Sequence, residues 1–122
     1  MSGRFHLFVY GTLRSNGPAA ARLAGSELIG TGSVGGILYD IDGAHPALVV
    51  YGTTPVRGEV WHCPAWLLRQ LDDYEGVAEG LFRRIGAEVQ LDDGRAQGCW
   101  IYVAGPKLAR KLKTARRIEQ WV

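Results

Sequence analysis

The chain has 122 residues, of which 47% are hydrophobic and 21% charged, a balance that suits one globular domain with a single core and no need of covalent staples. Seventeen glycines weigh against a helical bundle and favour a chain of turns and bent strands, and no apolar run approaches the length that crosses a membrane. The net charge of +2 is uneven: residues 105–122 carry six Lys/Arg against Glu119 alone, a net +5, which leaves −3 for the rest.

Met1-Ser2-Gly3-Arg4 leads straight into Phe5–Tyr10, an apolar run too short for a secretory signal, so a cytoplasmic location is expected. That run, rich in aromatic and branched residues, reads as a buried strand. It stops at Gly11, after which Thr12 and Leu13 offer backbone N–H groups claimed by neither strand nor helix, beside the cation Arg14. Such donors suit a small anion such as a carboxylate; a plain turn after a strand is the other reading.

Pro18 opens a short helix that Gly25 stops. From Glu27 to Asp42 short strands are expected, interrupted by Gly30, Gly32, Gly35 and Gly36 as at the corners of a barrel. Gly30–Gly35 formally matches G-x-G-x-x-G, but strand-like Ile37-Leu38-Tyr39 follows where a dinucleotide site needs a helix N-terminus, so no nucleotide site is assigned. Ala47–Tyr51 and Val56–Cys63 read as further strands. Pro64 then starts a helix through Tyr74, with Leu67, Leu68, Leu71 and Tyr74 on one face and Gly76 at its end. Leu81–Leu91 and Arg95–Val103 form a hairpin about Asp92-Asp93-Gly94. The stripe Leu108, Leu112, Ala115, Ile118 and Val122 predicts a basic amphipathic helix over 106–122, docked on the single domain of residues 1–122.

Without regular βαβ alternation, the fold class expected is α+β: a small, strongly bent mixed barrel of about six or seven strands with two or three helices. Cys63 and Cys99 lack metal-ligand spacing and read as buried free thiols. His6, His45 and His62 are far apart in sequence, and no nucleophile signature is present, so no metal or cofactor is expected. The remaining chemistry lies in Asp72, Asp73 and Glu75, at the negative end of a helix dipole. Locally they read either as three solvated acids or as a site in which Glu75, just before Leu81-Phe82, faces an apolar pocket. In the second case burial and the dipole would both raise its pKa toward the range a proton-transfer group requires.

Taken together and in order, Phe8-Val9-Tyr10-Gly11-Thr12-Leu13-Arg14, Gly36–Asp40, Pro46-Ala47-Leu48, Arg57-Gly58-Glu59-Val60, Leu71–Gly76 and Trp100–Val103 resemble the γ-glutamylcyclotransferase-like family. The likeness leans toward its small bacterial branch related to γ-glutamylamine cyclotransferase. The resemblance implies that Tyr10, Gly11, Thr12 and Leu13 bind substrate and that Glu75 is the acid/base. It further implies an amine-releasing reaction in which a γ-glutamyl group cyclises to 5-oxoproline. Phe82 and Arg84 stand where members often have a tyrosine two residues before an arginine, which leaves Tyr39, Tyr74 or Tyr102 to supply a hydroxyl. Arg14, Tyr39, Phe82 and Tyr102 are candidate pocket residues. The partner expected is a small molecule carrying a γ-glutamyl group. A non-catalytic small-ligand domain on the same fold is the alternative, and neither a membrane nor a nucleic acid is expected as partner.

Overall fold

The computed structural model describes residues 3–121. In chain order the elements are β1 (Phe5–Val9), a 3₁₀ turn (Ala20–Leu23), β2 (Glu27–Gly35), β3 (Ile37–Ile41), β4 (His45–Val49) and β5 (Pro55–Cys63). They continue with α1 (Leu67–Tyr74), β6 (Phe82–Leu91), β7 (Ala96–Ala104), α2 (Pro106–Ala109), a second 3₁₀ turn (Lys111–Lys113) and β8 (Arg116–Ile118). Five strands close a barrel in the order β1-β5-β2-β6-β7, and β4-β3-β8 form a separate sheet. The barrel is mixed because β1 and β7 pair in parallel, through Leu7 with Trp100 and Phe8 with Ile101, while its other pairs are antiparallel. The expected mixed barrel is therefore the architecture, but it closes with five strands rather than six or seven, because β3, β4 and β8 pair among themselves in a separate sheet.

The unbroken apolar character of Phe5–Tyr10 has a packing reason: β1 is covered on both faces. Phe8 and Tyr10 join the cluster that fills the barrel, with Val60, Val89 and Ile101, to which the second sheet adds Leu38 and Leu48. Leu7 and Val9 face the other way and pack with Leu67 and Leu71 of α1. A strand enclosed on both sides loses the alternation that marks a half-exposed one. Burying Leu71 is worth roughly 2 kcal/mol, and it presses the C-terminal end of α1 onto the barrel rim.

Three expectations change. The glycines at 30, 32 and 35 do not split the chain into short strands; β2 runs continuously for nine residues, with one irregularity between Leu28 and Gly30. The G-x-G-x-x-G match lies within that strand and its end. Between β3 and β4, Asp42 and Gly43 both have positive φ (55° and 70°), and the Ala44 N–H bonds the Ile41 carbonyl at 3.0 Å. The strand after this turn starts at His45 and ends at Val49.

The terminal helix expected over 106–122 is not formed. Helix is confined to Pro106–Ala109, and Arg116–Ile118 instead pair with Leu38–Asp40 along β3. The open edge of β3 explains this, since its unpaired backbone groups gain partners from an added strand. The apolar stripe is still used: Leu108, Leu112 and Ala115 pack about Ile41 and Ala47, while Ile118 packs against the barrel cluster. Val122 lies outside the described residues. Both cysteines are free and buried, and among the described residues no helix is long and apolar enough to cross a membrane.

Candidate active site

The loop leaving β1 is a tight turn, closed by the Arg14 N–H on the Gly11 carbonyl at 3.0 Å and folded back through Ala19 N–H to the Thr12 carbonyl at 2.9 Å. The N–H groups of Thr12 and Leu13 find no acceptor among the described residues. Gly11 does not have positive φ. It is glycine because the Pro46 ring lies against it, with Cγ only 2.5 Å from where a Cβ would stand.

Glu59 on β5 secures the loop from below. Its carboxylate accepts the Ser15 N–H at 2.7 Å, the Ser15 hydroxyl at 2.6 Å and the Trp61 indole N–H at 3.1 Å. Replacing Glu59 with Ala is expected to cost about 1.5–3 kcal/mol, the usual range for hydrogen bonds to a charged group. Faster amide exchange at Ser15 checks this, and unchanged protection there would show that the loop is held by other contacts.

Across from the loop, α1 ends at Glu75. The Gly76 N–H bonds the Asp73 carbonyl and the Val77 N–H bonds the Asp72 carbonyl, both at 3.1 Å, with Gly76 at φ 66°. This is a Schellman ending, which only a residue at ease in the left-handed region completes without strain. The acids at 72, 73 and 75 therefore do not fray a helix end; each leaves a sharply fixed backbone in its own direction. Asp73 is exposed. Asp72 turns to Arg84 at 2.8 and 3.2 Å and to the Tyr102 hydroxyl at 2.6 Å. Glu75 faces a cavity.

That cavity has a volume of about 280 Å³, at the small end of the range of roughly 300–1,000 Å³ typical of small-molecule sites. Tyr10, Gly11, Thr12 and Leu13 form one wall, and Tyr74 and Glu75 another. Phe82 and Tyr102 also line it, together with the segment Ala44-His45-Pro46. A hydrogen bond of 3.1 Å between Thr12 Oγ1 and the Tyr74 hydroxyl joins the two walls. Glu75 is the sole carboxylic acid among the described lining residues. Burial pushes its pKa up from 4.5 to about 7, with the nearby Arg22 charge working weakly the other way. Burial, then the Glu75 charge, also push the Tyr10 hydroxyl well above the usual tyrosine range.

Two candidate pocket residues lie elsewhere. Arg14 is buried and donates to the Trp121 carbonyl, and it is not among the residues that line the cavity. Tyr39 packs beside Ile41 and Ala47 with the Arg117 guanidinium 5.8 Å from its ring. Of the hydroxyls that could replace the one missing at Phe82, Tyr74 and Tyr102 line the cavity and Tyr39 does not. The sequence reading missed His45, whose ring sits 5.8 Å from that of Phe82. The Asp42-Gly43 dipeptide was the available signal, because it makes the turn that delivers Ala44-His45-Pro46 to the rim. His6 and His62 are a stacked cross-strand pair 4.6 Å apart, and no cluster able to hold a metal occurs among the described residues.

A family model described as "Gamma-glutamyl cyclotransferase, AIG2-like" matches residues 7–122. The fold is similar to that of an AIG2-like protein from Mus musculus, with a TM-score of 0.84 at 23% identity over 98% of this chain and 88% of that one. A uropathogenic E. coli-specific protein gives a TM-score of 0.71 at 21% identity, covering 95% and 88%. A solved γ-glutamyl cyclotransferase gives 0.70 at 19% identity, covering 83% and 66%. A search of the curated proteins finds no match.

Proposed function

The chain belongs to the γ-glutamyl cyclotransferase, AIG2-like family, and from that premise we propose that it converts a γ-glutamyl amine, γ-glutamyl amino acid or related conjugate into 5-oxoproline and a free amine. The observation that carries this reading is the meeting of Glu75 and the Thr12–Leu13 loop on one small cavity. The reaction is internal to the substrate. Its α-amine attacks its own γ-carbonyl, the new C–N bond closes a five-membered ring, and the old C–N bond breaks.

Each requirement of that reaction has a counterpart in the site. The substrate's glutamyl part must be curled so that amine and carbonyl meet, and a small cavity enforces that by orientation. The Thr12 and Leu13 amides are donors for the α-carboxylate or for the developing oxyanion. Glu75 takes a proton from the substrate's ammonium group, which frees the amine to attack, and gives that proton to the departing nitrogen. The second proton, lost as the ring nitrogen becomes an amide, ends on the released amine, which leaves as an ammonium ion, so the net proton count is unchanged. A carboxyl group with pKa about 7 does both, because it is neither too weak a base nor too weak an acid near neutrality.

The sign of the pH dependence follows. Glu75 must enter the cycle as carboxylate, so kcat/KM rises by about tenfold per pH unit up to an apparent pKa of about 7 and levels off above it. The direct test is 5-oxoproline release from a panel of γ-glutamyl amines and γ-glutamyl amino acids, followed across pH. Turnover with that acid limb supports the proposal. Saturable binding with no 5-oxoproline would overturn it in favour of a small-ligand binding domain.

A further inference from the structure

Tyr10, Tyr74 and Tyr102 line the cavity with Glu75, yet among the described residues no hydroxyl is hydrogen-bonded to its carboxylate. The Tyr10 hydroxyl donates to the Tyr102 carbonyl at 2.5 Å. The Tyr102 hydroxyl donates to Asp72 Oδ1 at 2.6 Å. The Tyr74 hydroxyl is engaged with Thr12 Oγ1. Asp72 in turn is fixed by both its Arg84 contacts, and the Arg84 guanidinium lies 4.3 Å from the centre of the Trp100 ring. Arg84, Asp72, Tyr102 and Tyr10 thus make one chain of hydrogen bonds across β6, α1, β7 and the end of β1.

The arrangement is selective because Tyr102 and Glu75 share the cavity. The Glu75 charge helps raise the Tyr102 hydroxyl above its ordinary range, after burial and the Asp72 hydrogen bond. Were Asp72 absent, the carboxylate of Glu75 would be the strongest acceptor left for that proton. The groups facing Glu75 are Tyr10 from the end of β1, Arg22 from the first 3₁₀ turn, His45 from β4 and Tyr102 from β7, with Tyr74 beside it on α1. Of these, only Tyr102 has its hydroxyl held by another carboxylate.

We propose that Asp72 is a positioning residue that captures the Tyr102 hydroxyl proton and so keeps Tyr102 from donating to Glu75. Its value to catalysis rests on the reading of Glu75 as acid/base, since a donated hydrogen bond stabilises the carboxylate and makes it a weaker base. Asp72 suits the task because burial opposes its charge but Arg84 and Tyr102 outweigh that effect, holding its carboxyl below the usual range. It remains an acceptor throughout the pH range in which Glu75 titrates.

The test titrates Glu75 directly by carboxyl-carbon NMR in the full chain, which separates this proposal from whether the protein turns over γ-glutamyl substrates. Asp72→Ala is expected to lower the Glu75 pKa by about one unit, as an added hydrogen bond to a carboxylate does. Adding Tyr102→Phe to that variant should restore the wild-type value. If Asp72→Ala folds poorly, Tyr102→Phe alone keeps the Asp72–Arg84 pair and still decides the matter. The proposal requires the Glu75 pKa to be unmoved in that single variant, and a rise would mean that Tyr102 donates to Glu75 in the wild type. An unshifted pKa in Asp72→Ala overturns the proposal. So does a shift that persists in the double variant, because the released Arg84 would then be its cause.

Discussion

Glu75→Gln is expected to lower kcat/KM for 5-oxoproline release by about 10²–10⁴-fold, the span that positioned acid/base groups contribute. The side chain keeps its size and its place at the end of α1 but can no longer take or return a proton. The same substitution should stabilise the protein, and the direction follows from linkage. Glu75 titrates near 4.5 in the unfolded chain and at about 7 when folded, so the folded state binds its proton more tightly. The folded state is therefore unpenalised below about pH 4.5 and progressively penalised as pH rises through 7. Gln carries no such penalty. Wild type and variant should melt together at low pH, and the variant should gain on the order of 1–3 kcal/mol at about pH 8. A carboxylate kept for structure would behave in the opposite way, losing stability on replacement. Full turnover by Glu75→Gln would remove Glu75 from the mechanism.

That combination of lost activity and gained stability is what a group held against its solvation preference produces. The surroundings explain why it persists. Val77 N–H on Asp72 and Gly76 N–H on Asp73 fix the helix end, and the burial of Leu67 and Leu71 holds the helix on β1 and β7. The stability that packing supplies offsets the cost of one half-buried carboxylate without a hydrogen-bond donor. Only three positions earlier, Asp72 is fully satisfied and anchored. Two acids in one short motif thus have opposite chemistry because the helix end points them at different neighbours.

Much of this was legible in the residues. Phe5–Tyr10 announced a strand, Asp92-Asp93-Gly94 a hairpin, and Gly76 a helix end. These signals are local, arising from backbone preferences within a few residues. The ordered motifs also named both walls of the cavity, the Tyr10–Leu13 loop and Glu75. Arg14 could not be placed the same way. Its charge beside free amides suggested an anion site, but its guanidinium is drawn to the Trp121 carbonyl, a partner more than a hundred positions away. The terminal helix failed for a related reason. A stripe at helical spacing gave no sign that β3 would leave an open edge for Arg116–Ile118 to join. Backbone pairing along that edge, not side-chain spacing, selected the strand.

Gly11→Ala is expected to lower kcat/KM by about 10²-fold, as a displacement near 1 Å in a substrate-positioning loop does. It should also destabilise the fold by about 1–3 kcal/mol through overpacking. The cause is steric and has a named partner. A new Cβ would stand 2.5 Å from Pro46 Cγ and 2.9 Å from its Cδ, far inside contact distance, and neither group yields easily. Pro46 is a rigid ring within β4, paired with Asp40 on β3. Gly11 sits between buried Tyr10 and the turn that Arg14 closes. The loop must therefore move away from β4, carrying the Thr12 and Leu13 amides off the cavity while Glu75 stays in place. Because the collision is between two groups, it is separable by a double-mutant cycle. Pro46→Ala in the Gly11→Ala background removes the ring and should recover most of the lost kcat/KM. Independent, additive losses would show that Gly11 serves the site by a route other than its contact with Pro46. Gly11→Ala should also lower the Glu75 pKa toward the ordinary carboxylate range, because the displaced loop is one wall of the cavity whose burial raises it. The loop and Glu75 are two walls of one cavity, so a displacement of the first is read both in substrate turnover and in the proton affinity of the second.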